Sequence, residues 1–169
     1  HYEWVRAVIS AHKDDERIVF WDLYNEPGNS RREEITLPNV KRMFETVRAI
    51  GPSQPLTAGI FHISPDENIP LNEVMQYLFD HSDIISYHCY KSYNEHVRII
   101  KRLKKAGRPL LNTEWLGRCL GNNVFDLFPL FLQPTGKSLF CFAGSKQIHT
   151  CVGGNRPVVV LAAAVDTGK

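Results

Sequence analysis

Two glutamates in this chain stand where chemistry is done. Glu26 closes Trp21-Asp22-Leu23-Tyr24-Asn25-Glu26-Pro27, and Glu114 closes Leu110-Leu111-Asn112-Thr113-Glu114. Each follows a short apolar run that reads as a β-strand. A carboxylate beside buried strands is costly, so two of them at strand ends point to a shared polar cleft. Paired cleft carboxylates are the equipment for cleaving a glycosidic bond, one as general acid/base and the other as nucleophile or base. The plainer reading is that each glutamate begins a solvated loop. His88 and Tyr90 lie two apart, hence on one face of their strand, and His62 ends another. A metal site drawn from His62, His88 and Glu114 has no recognised ligand spacing. No cofactor and no metal are expected.

The elements that must carry these residues alternate between two periods. Trp4, Val5, Val8, Ile9 and His12 fall at helical spacing. Ile18 to Tyr24 is apolar and β-rich, the signature of a strand buried on both faces. Val40, Met43, Phe44, Val47 and Ile50 form an amphipathic stripe closed by Gly51-Pro52. Leu56 to Phe61 reads as a second strand, Leu71 to Phe79 as a helix and Asp83 to Tyr90 as a third strand. Val97, Ile100, Leu103 and Ala106 repeat the helical pattern, with Gly107 at the C-cap position. Leu110 to Trp115 is the fourth strand, and Val124 to Phe131 opens one more helix.

Such alternation predicts βαβ units and an α/β fold with a parallel sheet. An open doubly wound sheet and a (β/α)8 barrel both fit it. No Gly-rich dinucleotide fingerprint follows any strand, which counts against the former. Polar residues at the carboxyl end of strand after strand favour the latter.

At 169 residues, 43% hydrophobic and 22% charged, the chain can bury one real core. A net charge of +2 argues for neither nucleic acid nor an anionic membrane as partner, and no apolar run approaches the ~20 residues of a membrane span. Cys89, Cys119, Cys141 and Cys151 have no paired spacing and read as buried free thiols. The absence of an initiator Met predicts a piece of something longer, with localisation and oligomeric state left open. Composition changes near residue 132. Residues 133–169 carry Lys137, Lys146, Arg156 and Lys169 against a single acid, Asp166. Residues 1–132 are therefore expected to form the α/β unit, and 133–169 an atypical tail produced, for instance, by a shifted reading frame. Within the tail only Leu139–Phe142 and Pro157–Val165 read as candidate elements.

Trp21 to Pro27, Ser86-Tyr87-His88-Cys89-Tyr90 and Asn112-Thr113-Glu114-Trp115 together resemble the retaining glycoside hydrolases of the large (β/α)8 clan. They are most similar to the family 5 enzymes of cellulase and mannanase type. The resemblance covers roughly residues 1–132 and implies a partial TIM barrel, strands four to seven. It implies Glu26 as acid/base and Glu114 as nucleophile. Asn25 would meet the sugar 2-hydroxyl, Tyr90 would orient Glu114, and His88 would contact substrate. Trp115 would offer a stacking surface, although as core filler it would do no such thing. The implied partner is a β-linked carbohydrate. The first three strands and a Trp-bearing eighth strand are missing from the pattern. Other readings are a family 2-like β-galactosidase or β-mannosidase barrel, a catalytically silent carbohydrate-binding barrel, and a gene remnant.

Overall fold

The computed structural model describes residues 2–29, 31–117, 120 and 122–131, together with the backbone of 139–141. Five helices and five strands alternate there. They are α1 (Tyr2–His12), β1 (Trp21–Asp22), α2 (Glu33–Ile50), β2 (Leu56–Thr57), α3 (Glu73–His81), β3 (Ile85–His88), α4 (Tyr93–Leu103), β4 (Leu110–Glu114), α5 (Val124–Phe131) and β5 (Leu139–Cys141). A 3-10 turn, Lys104–Ala106, extends α4.

Every strand pairing is parallel, and neighbours in space are neighbours in sequence. Trp21 pairs with Leu56, Ile85 with Leu110, and Leu110 with Leu139. A bridge between Ile60 and Tyr87 joins the first two strands to the other three. Sequential order without a reversal separates a barrel-type winding from a doubly wound sheet, which turns back at a switch point. The fold is thus α/β, consistent with part of a (β/α)8 barrel.

The helical stripes bury in part: Trp4 of α1, Val97 of α4, and Val124 and Phe128 of α5, which the spacing placed on buried faces, are exposed. Val40, Phe44 and Val47 of α2, Val74 and Leu78 of α3, Ile99 and Leu103 of α4, and Leu127 and Phe131 of α5 line one continuous core with Leu56, Ile85, Tyr87 and Leu110 of the strands. The helix ends are specified locally. Gly51 (φ 69°) and Gly107 (φ 65°) take the left-handed conformation that ends a helix at little cost only for glycine. Asn72 Oδ1 accepts from the Met75 N–H at 2.8 Å, and Glu95 accepts from the Ser92 N–H at 3.2 Å.

Two strand expectations need correction. Regular strand survives only at Trp21–Asp22 within 18–24, and Val19 and Asp22 are exposed rather than buried on both faces. The cause is position: β1 is an edge, and among the described residues no strand pairs with its other side, so apolar residues chosen for burial meet water. Leu56–Phe61 is likewise regular only at Leu56–Thr57, with Ile60 rejoining the ladder at β3. Beyond residue 132, Leu139–Cys141 docks alongside β4, while Pro157–Val165 lies outside the described residues.

At the amino ends of the strands, Arg48 donates to both oxygens of Asp83 at 2.8 Å, and Asp83 also accepts the Leu56 N–H at 2.7 Å. These groups border a cavity of about 450 Å³ with Tyr77, His81 and Arg108. It lies at the opposite end of the sheet from Glu26 and Glu114. No helix of the described residues is long and apolar enough to cross a membrane.

Candidate active site

Glu26, His88, Tyr90 and Glu114 come together at the carboxyl ends of β1, β3 and β4. Each arrives by a local device. Glu26 sits in a turn just past β1 with φ 47°, a left-handed conformation uncommon for a side chain of its kind, and its carbonyl accepts the Asn29 N–H at 3.1 Å. Pro27 and Gly28 (φ 87°) complete the turn. On β3 the alternation of a strand sends Tyr87 into the core and His88 toward the cleft.

Glu114 depends on a fault in the ladder. Tyr87 pairs with Asn112, but His88 pairs with Glu114, so Thr113 is the extra residue of a bulge. The bulge places Glu114 opposite His88, a common way for a sheet to re-aim one side chain. Beneath the site Ser86 Oγ and Thr113 Oγ1 lie 3.0 Å apart, and Thr57 Oγ1 donates to the Ile84 carbonyl at 2.7 Å.

The imidazole of His88 stands between the carboxylates. Its Nδ1 lies 2.8 Å from Glu26 Oε1 and 3.6 Å from Glu114 Oε2. The second oxygen of Glu26 accepts from Asn29 Nδ2 at 2.7 Å. Tyr90 donates its hydroxyl to Glu114 Oε2. Both His88 and Glu26 are nearly closed to solvent, with side chains 3% and 6% exposed, whereas Glu114 is 22% exposed. Burial raises the Tyr90 phenol well above its usual value, and the carboxylates of Glu114 and Glu26 add to that rise. Tyr90 therefore stays a proton donor through the neutral and alkaline range.

Asp22, four residues before Glu26 on β1, is a third carboxyl on this side. Protein atoms crowded around it push it up toward about 7; His88 and the Tyr24 N–H pull down, and Glu114 pushes up. Its side chain nevertheless meets solvent on the open edge, and water there works against the rise. One donor atom each from Glu26, His88 and Glu114 lie within 4.8 Å of one another, the geometry of a conceivable metal cluster. Hydrogen bonding accounts for the tightest of those approaches.

Asn25 is exposed beside Glu26. Trp115 corrects the expectation of a sugar-stacking surface: it is fully buried, with its ring 5.1 Å from that of Phe131. Its alternation with Glu114 decides this, since the residue after a cleft-facing one points into the layer between sheet and helices. Trp21 is half-buried and donates to Gln54 at 3.0 Å. His62 is exposed, with φ 56°, and rests against Phe61. Cys89 is a buried free thiol, pushed up to about 11 by burial; Cys119 and Cys151 lie outside the described residues. The sequence reading missed Asn29, Asp22 and the His88–Glu26 contact. Asn29 had one available signal, a turn former three residues after Glu26 in a Pro-Gly turn.

Parallel strands wound in chain order, with helices between them and ionisable residues gathered at the carboxyl ends, define a segment of an α/β barrel with a carboxylate-bearing cleft. No family model and no curated protein sequence matches the chain. Among solved structures, an intracellular xylanase from Thermoanaerobacterium saccharolyticum is similar over 85% of this chain and 56% of its own, at 16% identity and a TM-score of 0.53. Xylanase 10B from Thermotoga maritima matches 75% of this chain and 45% of its own, at 17% identity and a TM-score of 0.47. An endo-β-1,4-xylanase of glycoside hydrolase family 10 from Gloeophyllum trabeum covers 68% and 41%, at 14% identity and a TM-score of 0.46. The chain spans from about two-fifths to just over half of these structures' lengths. What the likeness shows is the fold.

Proposed function

We propose that this chain carries the catalytic carboxylates of a retaining β-glycoside hydrolase acting on β-linked poly- or oligosaccharides. The observation that carries the reading is the approach of Glu26 and Glu114, with a carboxylate oxygen of each within 4.8 Å of the other. Retaining sites hold their carboxyls ~5–5.5 Å apart for covalent attack, whereas inverting sites leave ~6.5–9.5 Å for a water between them. The activity named for the T. saccharolyticum structure is in keeping with the reading. Within it, the strand-end motifs are closest to the family 5 pattern.

The reaction divides between the two groups. Glu114, the more exposed and fixed by Tyr90, attacks the anomeric carbon as the bond to the leaving oxygen breaks. Glu26 gives that oxygen its proton, leaving a glycosyl ester on Glu114 and a carboxylate at Glu26. Glu26 then takes a proton from water, and the hydroxide formed displaces Glu114 and restores both groups. Asn29 donates to Oε2 of Glu26, and His88 Nδ1 lies 2.8 Å from Oε1, so the two neighbours together hold the acid/base in place. Asn25, exposed next to it, is free to meet the sugar 2-hydroxyl. We further read residues 1–132 as the catalytic segment and 133–169 as a segment of different origin, on the change in composition; the source DNA, read in all frames, tests that division.

Incubation with a 2,4-dinitrophenyl 2-deoxy-2-fluoro-β-glycoside tests the mechanism. The expected result is one added sugar on Glu114, found by peptide mass spectrometry and absent in Glu114→Gln. Labelling elsewhere, or unchanged turnover of an aryl β-glycoside in Glu114→Gln, would remove the assignment.

A further inference from the structure

Gly59 lies just past β2, where its N–H donates to the Tyr24 carbonyl at 3.3 Å. The next residue, Ile60, is tied to β3 in both directions: its N–H donates to Ser86 at 2.9 Å and its carbonyl accepts from His88 at 2.7 Å. Gly59 is not in the left-handed region that Gly28, Gly51 and Gly107 occupy, so its backbone suits any L-residue. What excludes a side chain is His88. A Cβ at position 59 would lie 2.8 Å from Nε2, 3.1 Å from Cε1 and 3.4 Å from Cδ2 of the imidazole. The ring has little freedom to retreat, because its other nitrogen is 2.8 Å from Glu26 and 3.6 Å from Glu114. It is held edge to edge between a bare strand backbone and the two carboxylates.

We propose that Gly59 is a positioning residue for the acid/base, its missing side chain setting where the His88 imidazole meets Glu26. The inference rests on Glu26 being the proton donor, and it adds a residue that carries no chemistry of its own. A methyl group at position 59 drives the ring against Glu26 or turns it out of the gap, and either way the donor is displaced, while Tyr90 and Glu114 stay together. Gly117 offers a matched comparison on the other flank. A Cβ there would lie 3.1 Å from Tyr90 Cδ1, so Gly117→Ala presses on the ring that holds Glu114.

Two measurements on the whole chain test this. In a thermal-melting cycle, Gly59→Ala lowers the midpoint in the wild-type background, and the loss disappears in a His88→Ala background, where the clash partner is gone. An equal loss in both backgrounds, or failure of Gly59→Ala/His88→Ala to fold, overturns the proposal; folding of the double variant when Gly59→Ala alone does not fold supports it. In kinetics, poor leaving groups need the acid and good ones do not. Gly59→Ala should therefore reduce kcat/KM for a 4-nitrophenyl β-glycoside about tenfold more than for the 2,4-dinitrophenyl analogue, a small part of the ~10²–10⁴ that such acid catalysis supplies. Gly117→Ala should reduce both alike. A uniform fall in Gly59→Ala overturns the link to Glu26. Absence of turnover in the unmutated chain overturns the glycosidase reading instead, and the melting cycle then decides the Gly59–His88 coupling by itself.

Discussion

Tyr90 and His88 sit two residues apart and serve different carboxylates, which makes their roles separable. The Tyr90 hydroxyl donates to Glu114 and, with its phenol raised by burial and by the nearby carboxylates, keeps donating wherever the protein is folded at neutral or alkaline pH. A hydrogen bond to a charged group contributes about 1.5–3 kcal/mol. Tyr90→Phe should therefore lower kcat/KM by about 10–100-fold with substrates of both good and poor leaving groups. Initial rates across a set of aryl β-glycosides check this, and a fall of less than twofold would release Tyr90 from the site. Glu26→Gln should behave differently, losing about 10²–10⁴-fold on poor leaving groups and far less on activated ones. The identities of these residues were legible because each ends an apolar run. Their contacts were not. The His88–Glu26 hydrogen bond joins residues 62 apart in sequence, and the bulge at Thr113 that turns Glu114 toward His88 leaves no mark in the residue types. Trp115 shows the converse: a residue whose type suits sugar stacking is committed to the core by the parity of its strand.

The elements themselves were read most accurately where packing decides them. The Val40–Phe44–Val47 stripe of α2 and the Gly107 cap after α4 are local patterns, and both are present as spacing and glycine chemistry require. β1 was over-read, because an apolar run reports that a segment is fit for burial and not whether a neighbour covers it. Between elements, one polar tie at the amino end of the sheet is Asp83, which joins the last turn of α2 to the start of β2. Burial alone would raise its carboxyl, but hydrogen bonds from Arg48 and the Leu56 N–H, with the charges of Arg48 and Arg108, hold it below the usual range. The two partners are not equivalent. Losing Arg48 removes a partly exposed ion pair, typically about 0–1 kcal/mol. Losing the Asp83 carboxylate also leaves the Leu56 N–H without its acceptor, a loss of about 1–3 kcal/mol for a buried group. Chemical denaturation should show Asp83→Ala less stable than Arg48→Ala by about 1–2 kcal/mol. The Asp83 contribution is full above its unfolded value of 3.8 and is lost as pH falls through the lower folded one, so the difference should narrow below pH 4. Equal losses in the two variants would mean that the ion pair alone ties these elements together.

At the scale of the whole molecule, the edge at β1, which no strand covers among the described residues, bears on how Asp22 titrates. Asp22 lies on that edge, with Glu114 raising and His88 lowering its proton affinity and the crowding of the protein raising it most. A carboxyl whose folded value is raised from 3.8 toward about 7 binds its proton more tightly in the native state than in the unfolded one. Its contribution to stability is complete below the unfolded value and is lost as pH rises through the folded one. Asp22→Asn keeps the neutral form at every pH and escapes that loss. The variant should melt close to the wild type at pH 3.5 and above it at pH 8, with the gap opening between about pH 4 and 7. Asp15, Asp83 and Glu95 titrate with the opposite sense, but they are common to both proteins and drop out of the difference. Because water reaches Asp22 on the open side, the gap also measures how far that edge is wetted. A covering partner on β1 would exclude the water, raise the carboxyl further and widen the gap at pH 8. A gap independent of pH, or a wild type favoured at pH 8, would show Asp22 to be fully solvated and the edge open to bulk water.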